Sequence, residues 1–351
     1  MLIDFGSAII NSLIGGSIMA LASSLNLYLQ GKITGISGTL FKCISLTDFN
    51  YNFSFITGMI FTSSFIKCFY SPLINSSTFL ESPSKFVGDL SLPGFILAGF
   101  LVGFGAKMAN GCTSGHGVCG LPRLSKRSFV AISLFMIFGI MIATIRYNFP
   151  FLVHDSYAFK VWENTIIYNL TFILSIICFV LNLLYCLLKG KSSYIVRDII
   201  ISFSIGALFS FGLIQSGMLQ RHVVIEFLTI GKSWNVQLAF VLGAAVGINL
   251  ITFNFILKKI KKPRFKEIFD LATKTTVDNK LCLGSAIFGL GWGLSGICPG
   301  PAVLTFYLYS PQMLAFFISL CSGIYIEFIF DDKISKTINK NDFISKVNKI
   351  K

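Results

Sequence analysis

The sequence predicts an all-α polytopic membrane protein of about nine transmembrane helices, with short re-entrant or broken helices between them. It predicts two inverted, pseudo-symmetric halves. Three observations carry this. Of 351 residues, 54% are hydrophobic and only 13% charged, about half the charged share of a soluble globular chain, and the mean hydropathy is +0.76. Apolar runs long enough to cross ~30 Å of hydrocarbon recur along the whole length. A Gly/Cys-rich break, NGCTSGHGVCG at 110–120, has a counterpart, SGICPGPA at 295–302, late in the chain.

The runs place spans at about 5–29, 49–71, 91–112, 128–147, 164–188, 198–217, 233–257, 281–308 and 311–330. The first opens with MLIDFG, which has no basic leader region, so it reads as a span and not as a cleaved signal. The third and eighth contain Gly/Pro breaks and read as helix plus loop.

Charge orients the list. With the N-terminus outside, the segments 30–48, 113–127, 189–197, 258–280 and 331–351 face the cytoplasm and carry 22 Lys/Arg, whereas the outside segments carry 4. Basic residues collect on the cytoplasmic side, so the N-terminus is out and the C-terminus in. The run KKIKKPRFKE (258–267) reads as a cytoplasmic loop at the lipid surface. The net charge of +14 is thereby explained by topology, and nucleic acid is not an expected partner. The nine cysteines include no CxxC and no zinc-type spacing, so neither a disulfide framework nor a metal site is expected.

A constant offset of 186 carries Gly31 onto Gly217, Gly103 onto Gly289, Gly105 onto Gly291 and Cys112 onto Cys298. It also carries spans 1–4 onto spans 6–9 and leaves span 5 as connector. Four spans plus one connector make an odd number, so the second half enters the membrane from the opposite side, as in many transporters. Residues 1–330 then form one membrane domain of two repeats, 1–150 and 198–330, joined by a helix at 164–188. Residues 331–351 are a basic cytoplasmic tail.

Non-helical backbone at membrane depth survives only where protein buries it or where it lines a polar path. The two breaks therefore mark a site. Helix ends and free N–H groups around Cys112 and Cys298 suit an anion and a thiol. Gly111, Gly115, Gly296 and Gly300 would let backbone approach a ligand. Thr113 and Ser114 either donate to the ligand or cap the next helix. His116 is a donor, a proton group or a loop cap. Cys119 is a further path thiol or a structural one. Lys107 is a charge within a span, hence functional or snorkelling toward headgroups.

These strings resemble the YeeE/YedE family of sulfur-compound transporters. GFGAKMANGCTSGHGVCGLPRLSKRS (103–128) is similar to its first signature, GKITGISG (31–38) to its N-terminal loop, and FGLGWGLSGICPGPAV (288–303) to its second-half signature. The resemblance implies thiosulfate uptake along an hourglass-shaped path, with the anion passed between cysteines at the positions of Cys112 and Cys298. Some members carry another cysteine in the first loop. Here that loop has Thr34 and Ser37 instead, which supply hydroxyls but no thiol. The resemblance also implies a cytosolic sulfur-carrier partner of the TusA type. No cofactor is implied, and the chain is not expected to be an enzyme. The residues leave two other readings open: a membrane thiol oxidoreductase or sulfurtransferase using Cys112 or Cys298, and a transporter of another sulfur or selenium species.

Overall fold

The computed structural model describes residues 2–69, 90–152, 165–189, 193–231, 234–271, 274–307 and 311–350. Twelve α-helices occur among them: α1 Leu2–Gln30, α2 Ile36–Ile44, α3 Phe49–Phe69, α4 Leu92–Met108, α5 Lys126–Asn148, α6 Thr165–Leu188, α7 Ser193–Gln215, α8 Arg221–Leu228, α9 Gln237–Lys259, α10 Asn279–Ser295, α11 Pro299–Thr305 and α12 Pro311–Ile350. Between α4 and α5 the chain forms a π-helical turn, Thr113–Gly120, and a short 3-10 turn, Leu121–Arg123.

Local chemistry sets the boundaries. Helix α4 opens on Ser91 with a proline in its first turn, where the missing N–H has no intrahelical role. The Ser125 hydroxyl caps α5 by accepting from Ser128 N, and the Asp278 carboxylate caps α10 by accepting from Leu281 N. Helix α1 ends at Gly31, whose φ of +68° is a left-handed C-terminal stop. The basic loop after α9 then folds back on that end. Arg264 N donates to Tyr28 O, Phe265 N to Leu29 O and Asp270 N to Gly31 O, filling carbonyls that a helix end leaves open. This loop is thus structural as well as basic.

Shifted by 186 residues, α1 falls on α7, α2 on α8, α3 on α9, α4 on α10, the π-helical turn on α11 and α5 on α12. The contacts follow the same exchange. Helix α1 packs on α9 as α7 packs on α3, and α4 packs on α12 as α10 packs on α5. Backbone conformation repeats too, with left-handed residues at Gly31 and Gly217 and at Asn110 and Gly296. Two of the corresponding pairs, α1 with α7 and α4 with α10, cross antiparallel. Along α1 and α7, Gln215 Nε2 donates to Asn11 Oδ1 at 3.0 Å and Gln30 Nε2 donates to the Asp198 carbonyl at 3.0 Å. Along α4 and α10, Gly284 lies against Ala109 and Gly291 against Ala98. Contact this close needs glycine, because a Cβ at Gly291 would come within 2.8 Å of Ala98 O and Val102 N.

Six helices are long and apolar enough to cross a membrane: α1, α5, α6, α7, α9 and the first part of α12. Two bent pairs bring the number to eight. Helix α4 with the following turns bends by 47°, and α10 with α11 by 43°. The expected span 49–71 corresponds to α3, which has the length, about 31 Å at 1.5 Å per residue, but lies outside that apolar set. Its Asn52, Ser54, Thr57, Ser63 and Ser64 are buried, so its polarity faces protein. Helix α6 turns Ile166, Leu170, Ile173 and Leu181 outward, as a lipid-facing connector would.

Helical structure extends beyond the expected spans. The loops 30–48 and 218–232 each contain a short helix, α2 and α8. The tail from 331 is not separate from the last span: α12 runs unbroken to Ile350, because 331–350 contains no Gly or Pro to stop it. The expected outside loops 72–90 and 148–163 lie largely outside the described residues.

Candidate functional site

Each broken span stops at a left-handed residue, Asn110 or Gly296, and restarts two residues later at a cysteine. Cys112 precedes the π-helical turn and Cys298 precedes α11, both in extended backbone. The two restart points meet. Cys112 and Cys298 are both buried and line one small cavity of about 40 Å³ together with Thr113, Ser114, Gly300 and Ile36. The wall is completed by apolar side chains of α1, α7 and α9, among them Met19, Leu213 and Leu242. That volume accommodates only a few water-sized groups.

The polar contacts tie the halves together at this point. Thr113 Oγ1 donates to Cys298 Sγ at 3.5 Å, crossing from the first break to the second. Cys112 Sγ and Ser114 Oγ share a hydrogen bond of 3.2 Å, and Ser114 Oγ accepts from Ile36 N at 3.1 Å. Main-chain donors are unequally shared. The first turn after Cys298 is Pro-Gly-Pro-Ala, so only Gly300 and Ala302 carry an N–H, and the Ala302 N–H goes to Cys298 O. The free amides expected at both breaks are therefore mainly on the Cys112 side. Trp292 sits beside the Cys298 thiol, a neighbour legible only in that it lies six residues earlier on α10.

The other sequence-predicted residues separate from this cavity. His116 is buried against Ala109 O (3.2 Å) and Ser128 Oγ (3.1 Å), so it locks the end of α4 to the start of α5. Cys119 donates its S–H to Thr34 O at 3.2 Å within a second apolar cluster with Leu27, Val118 and Phe253. Thr34 Oγ1 accepts from Asn26 Nδ2 at 3.0 Å. Gly296 supplies the left-handed stop of α10. Lys107 lies with its ammonium 3.6 Å from the Phe41 ring centre and is on neither cavity wall. The structure therefore brings Cys112, Cys298, Thr113, Ser114 and Gly300 together, and leaves Lys107, Cys119, Thr34 and Gly296 elsewhere.

Gly111, Gly115, His116 and Ser37 face a second, larger cavity of about 840 Å³. Its wall carries Lys32, Lys42, Arg123, Lys126, Arg127 and Lys274 against one carboxylate, Asp270. Sequence reasoning counted these cations for topology and did not place them together. Lys32 and Lys42 flank Asp48 at 3.5 and 3.8 Å. Arg127 Nη1 donates to Thr276 O at 2.7 Å and pairs with Asp278 at 3.1 Å. The Lys274 ammonium, with Leu281 N and Arg127, holds the Asp278 carboxyl well below the usual carboxylate range, outweighing its burial. Between the two cavities stands a thin layer: Gly35 against Gly115, and Ile36 over Gly300.

A helical multi-pass membrane transport protein is the class that this fold and these comparisons define. Residues 5–142 match the family model described as sulphur transport, and residues 197–339 match a family of unknown function (DUF6691). Relatives from Xylella fastidiosa carry the name "probable transporter". One from strain Temecula1 is 36% identical over 127 residues, 36% of this chain and 85% of the relative. Another, from strain 9a5c, is 36% identical over 132 residues, 38% of this chain and 90% of the relative. The chain belongs to the sulphur-transport family, the YeeE/YedE-like proteins. Since 127 residues are most of one relative and about a third of this chain, that relative is less than half as long, which is the size of one repeat here.

Proposed function

We propose that this chain takes up thiosulfate, or a related small sulfur-containing anion, along a path whose narrow point is the cavity between Cys112 and Cys298. The observation that supports this is the meeting of the two thiols, one from each half, across a small cavity where two broken spans restart. An oxyanion with a terminal sulfur suits that lining. Thr113, Ser114 and the amides beside Cys112 offer donors to oxygen, and the thiols offer weak S–H contacts to sulfur. Such contacts admit an ion without trapping it. The antiparallel crossing of corresponding helices and the charge bias support inverted halves, with α3 as a ninth crossing and the N-terminus outside the cell membrane. The basic vestibule would then open to the cytosol, where a sulfur-carrier protein of the TusA type would collect the cargo.

Uptake of labelled thiosulfate into proteoliposomes tests this. Wild-type protein is expected to take it up, and Cys112→Ala and Cys298→Ala to lose most of that uptake. Uptake at the wild-type rate by both variants would remove the thiols from the mechanism.

A further inference from the structure

We propose that Arg123 anchors a second oxyanion site, in the vestibule and in series with the cysteine cavity, for tetrahedral dianions such as thiosulfate and sulfate. The reason the site exists rests on the uptake reading above; its chemistry rests on the geometry of Arg123 alone. Arg123 ends the short 3-10 turn that follows the π-helical turn. Its Nε donates to Cys119 O at 3.1 Å, which fixes the guanidinium plane. Its two terminal nitrogens have no protein acceptor among the described residues, and the side chain lines the 840 Å³ vestibule. A guanidinium held by one nitrogen presents the rest of its fork already oriented, the geometry that matches two oxygens of an oxyanion.

The neighbouring charges single out this residue. Four of the six vestibule cations share two carboxylates: Lys32 and Lys42 take Asp48, and Arg127 and Lys274 take Asp278. Arg123 and Lys126 form no ion pair with a described carboxylate. Lys126 is exposed at the rim, so it adds field and not a fixed contact. The same wall includes Gly111 and Gly115, which flank the Cys112–Ser114 strip facing the inner cavity. An ion passing the Gly35–Gly115 layer therefore enters the space whose wall carries Arg123. Two weak sites in series are what conduction requires. They also divide the chemistry: a guanidinium fork reads oxygens and is blind to terminal sulfur, so discrimination between thiosulfate and sulfate stays with the thiols.

The test is calorimetric titration of sodium sulfate, and separately of sodium thiosulfate, into the full-length Cys112→Ala/Cys298→Ala variant in neutral lipid-free detergent. One site per chain is expected for either anion, with affinity falling as ionic strength rises. Adding Arg123→Gln should weaken it about tenfold or more, as loss of a charge-assisted pair does. Arg123→Lys should restore part of it, and Lys126→Gln should cost only a few-fold. Absence of binding in the cysteine variant would overturn the proposal. So would equal affinity in the Arg123→Gln protein. Lipid phosphate presents the same oxygens, so the titration is repeated in nanodiscs of anionic lipid; sulfate binding confined to detergent would make this a lipid site and also overturn the proposal. Should the cysteine variant take up thiosulfate at the wild-type rate, the thiol path of the uptake reading would fail while the sulfate titration still decides the Arg123 site.

Discussion

Gly300→Ala separates the cavity from the fold. Gly300 is the second residue of α11 and lines the cysteine cavity. A Cβ there would meet Ile36 Cδ1 at 2.8 Å and Leu213 Cδ1 at 3.1 Å. Both contacts are the far ends of flexible side chains, and both side chains border a void of about 40 Å³ into which they can turn. Overpacking a tight core costs typically ~1–3 kcal/mol; replacing helical Gly by Ala returns about 1 kcal/mol. The net change in stability is therefore small, about 1 kcal/mol, a shift of a few degrees in thermal unfolding at most. The void itself fares worse, since a methyl group and two displaced side-chain ends take up space comparable to its volume. Thiosulfate uptake into proteoliposomes should fall at least tenfold, equivalent to about 1.4 kcal/mol. Gly38→Ala is the matched control. Nothing lies within 4 Å of its added Cβ, and it lines the wide vestibule, so uptake should hold to within about twofold. Undiminished uptake by a stable Gly300→Ala protein would show that cargo does not pass between Cys112 and Cys298.

Three other outcomes follow from named contacts. Thr113→Val keeps the side chain's shape and removes the donor to Cys298 Sγ, so KM for thiosulfate should rise several-fold with thermal unfolding nearly unchanged. Asn249 is fully buried, its Nδ2 donating to Val118 O at 2.8 Å and to Ser23 Oγ at 2.9 Å; Asn249→Ala should destabilise by about 2 kcal/mol in a detergent unfolding series, since it strands buried acceptors. Asp278 stabilises through a carboxyl held below its ordinary range by Lys274 first. A depressed folded-state pKa contributes above the unfolded value near ~4 and is lost as pH falls below it. The gap in melting temperature between wild type and Asp278→Asn should thus be full at pH 7 and close progressively below about pH 4; a gap independent of pH would place the stabilisation elsewhere.

The fold was legible in the sequence where a residue type permits only one kind of backbone. Glycine and proline in NGCTSGHGVCG and SGICPGPA cannot continue a membrane helix, and both segments do break, by 47° and 43°. The helices α2 and α8 were not legible, because nine and eight residues are too short to give an apolar window. Of the site, the two thiols were legible through their match at 186 residues. Lys107 was not: five residues turn a helix by about 140°, and the left-handed turn at Asn110 redirects the chain before Cys112. Proximity in sequence to a break says little about which side chains face the space the break creates.

The two halves share backbone but not chemistry, and the difference has a direction. Both restart segments begin at a cysteine after a left-handed residue, yet one continues as Thr-Ser-Gly and the other as Pro-Gly-Pro. The first supplies two hydroxyls and successive amides; the second keeps one free amide and a stiff backbone. Thr113 also reaches across to Cys298, whereas the second loop sends no comparable donor to Cys112 among the described residues. A symmetric pair would hold an anion equally from both sides. Here the donors cluster on the Cys112 side, where Gly111 and Gly115 open onto the vestibule with Arg123. Donors therefore increase in number from the Cys298 side of the cavity to the Cys112 side, so a repeated backbone geometry carries unequal chemistry.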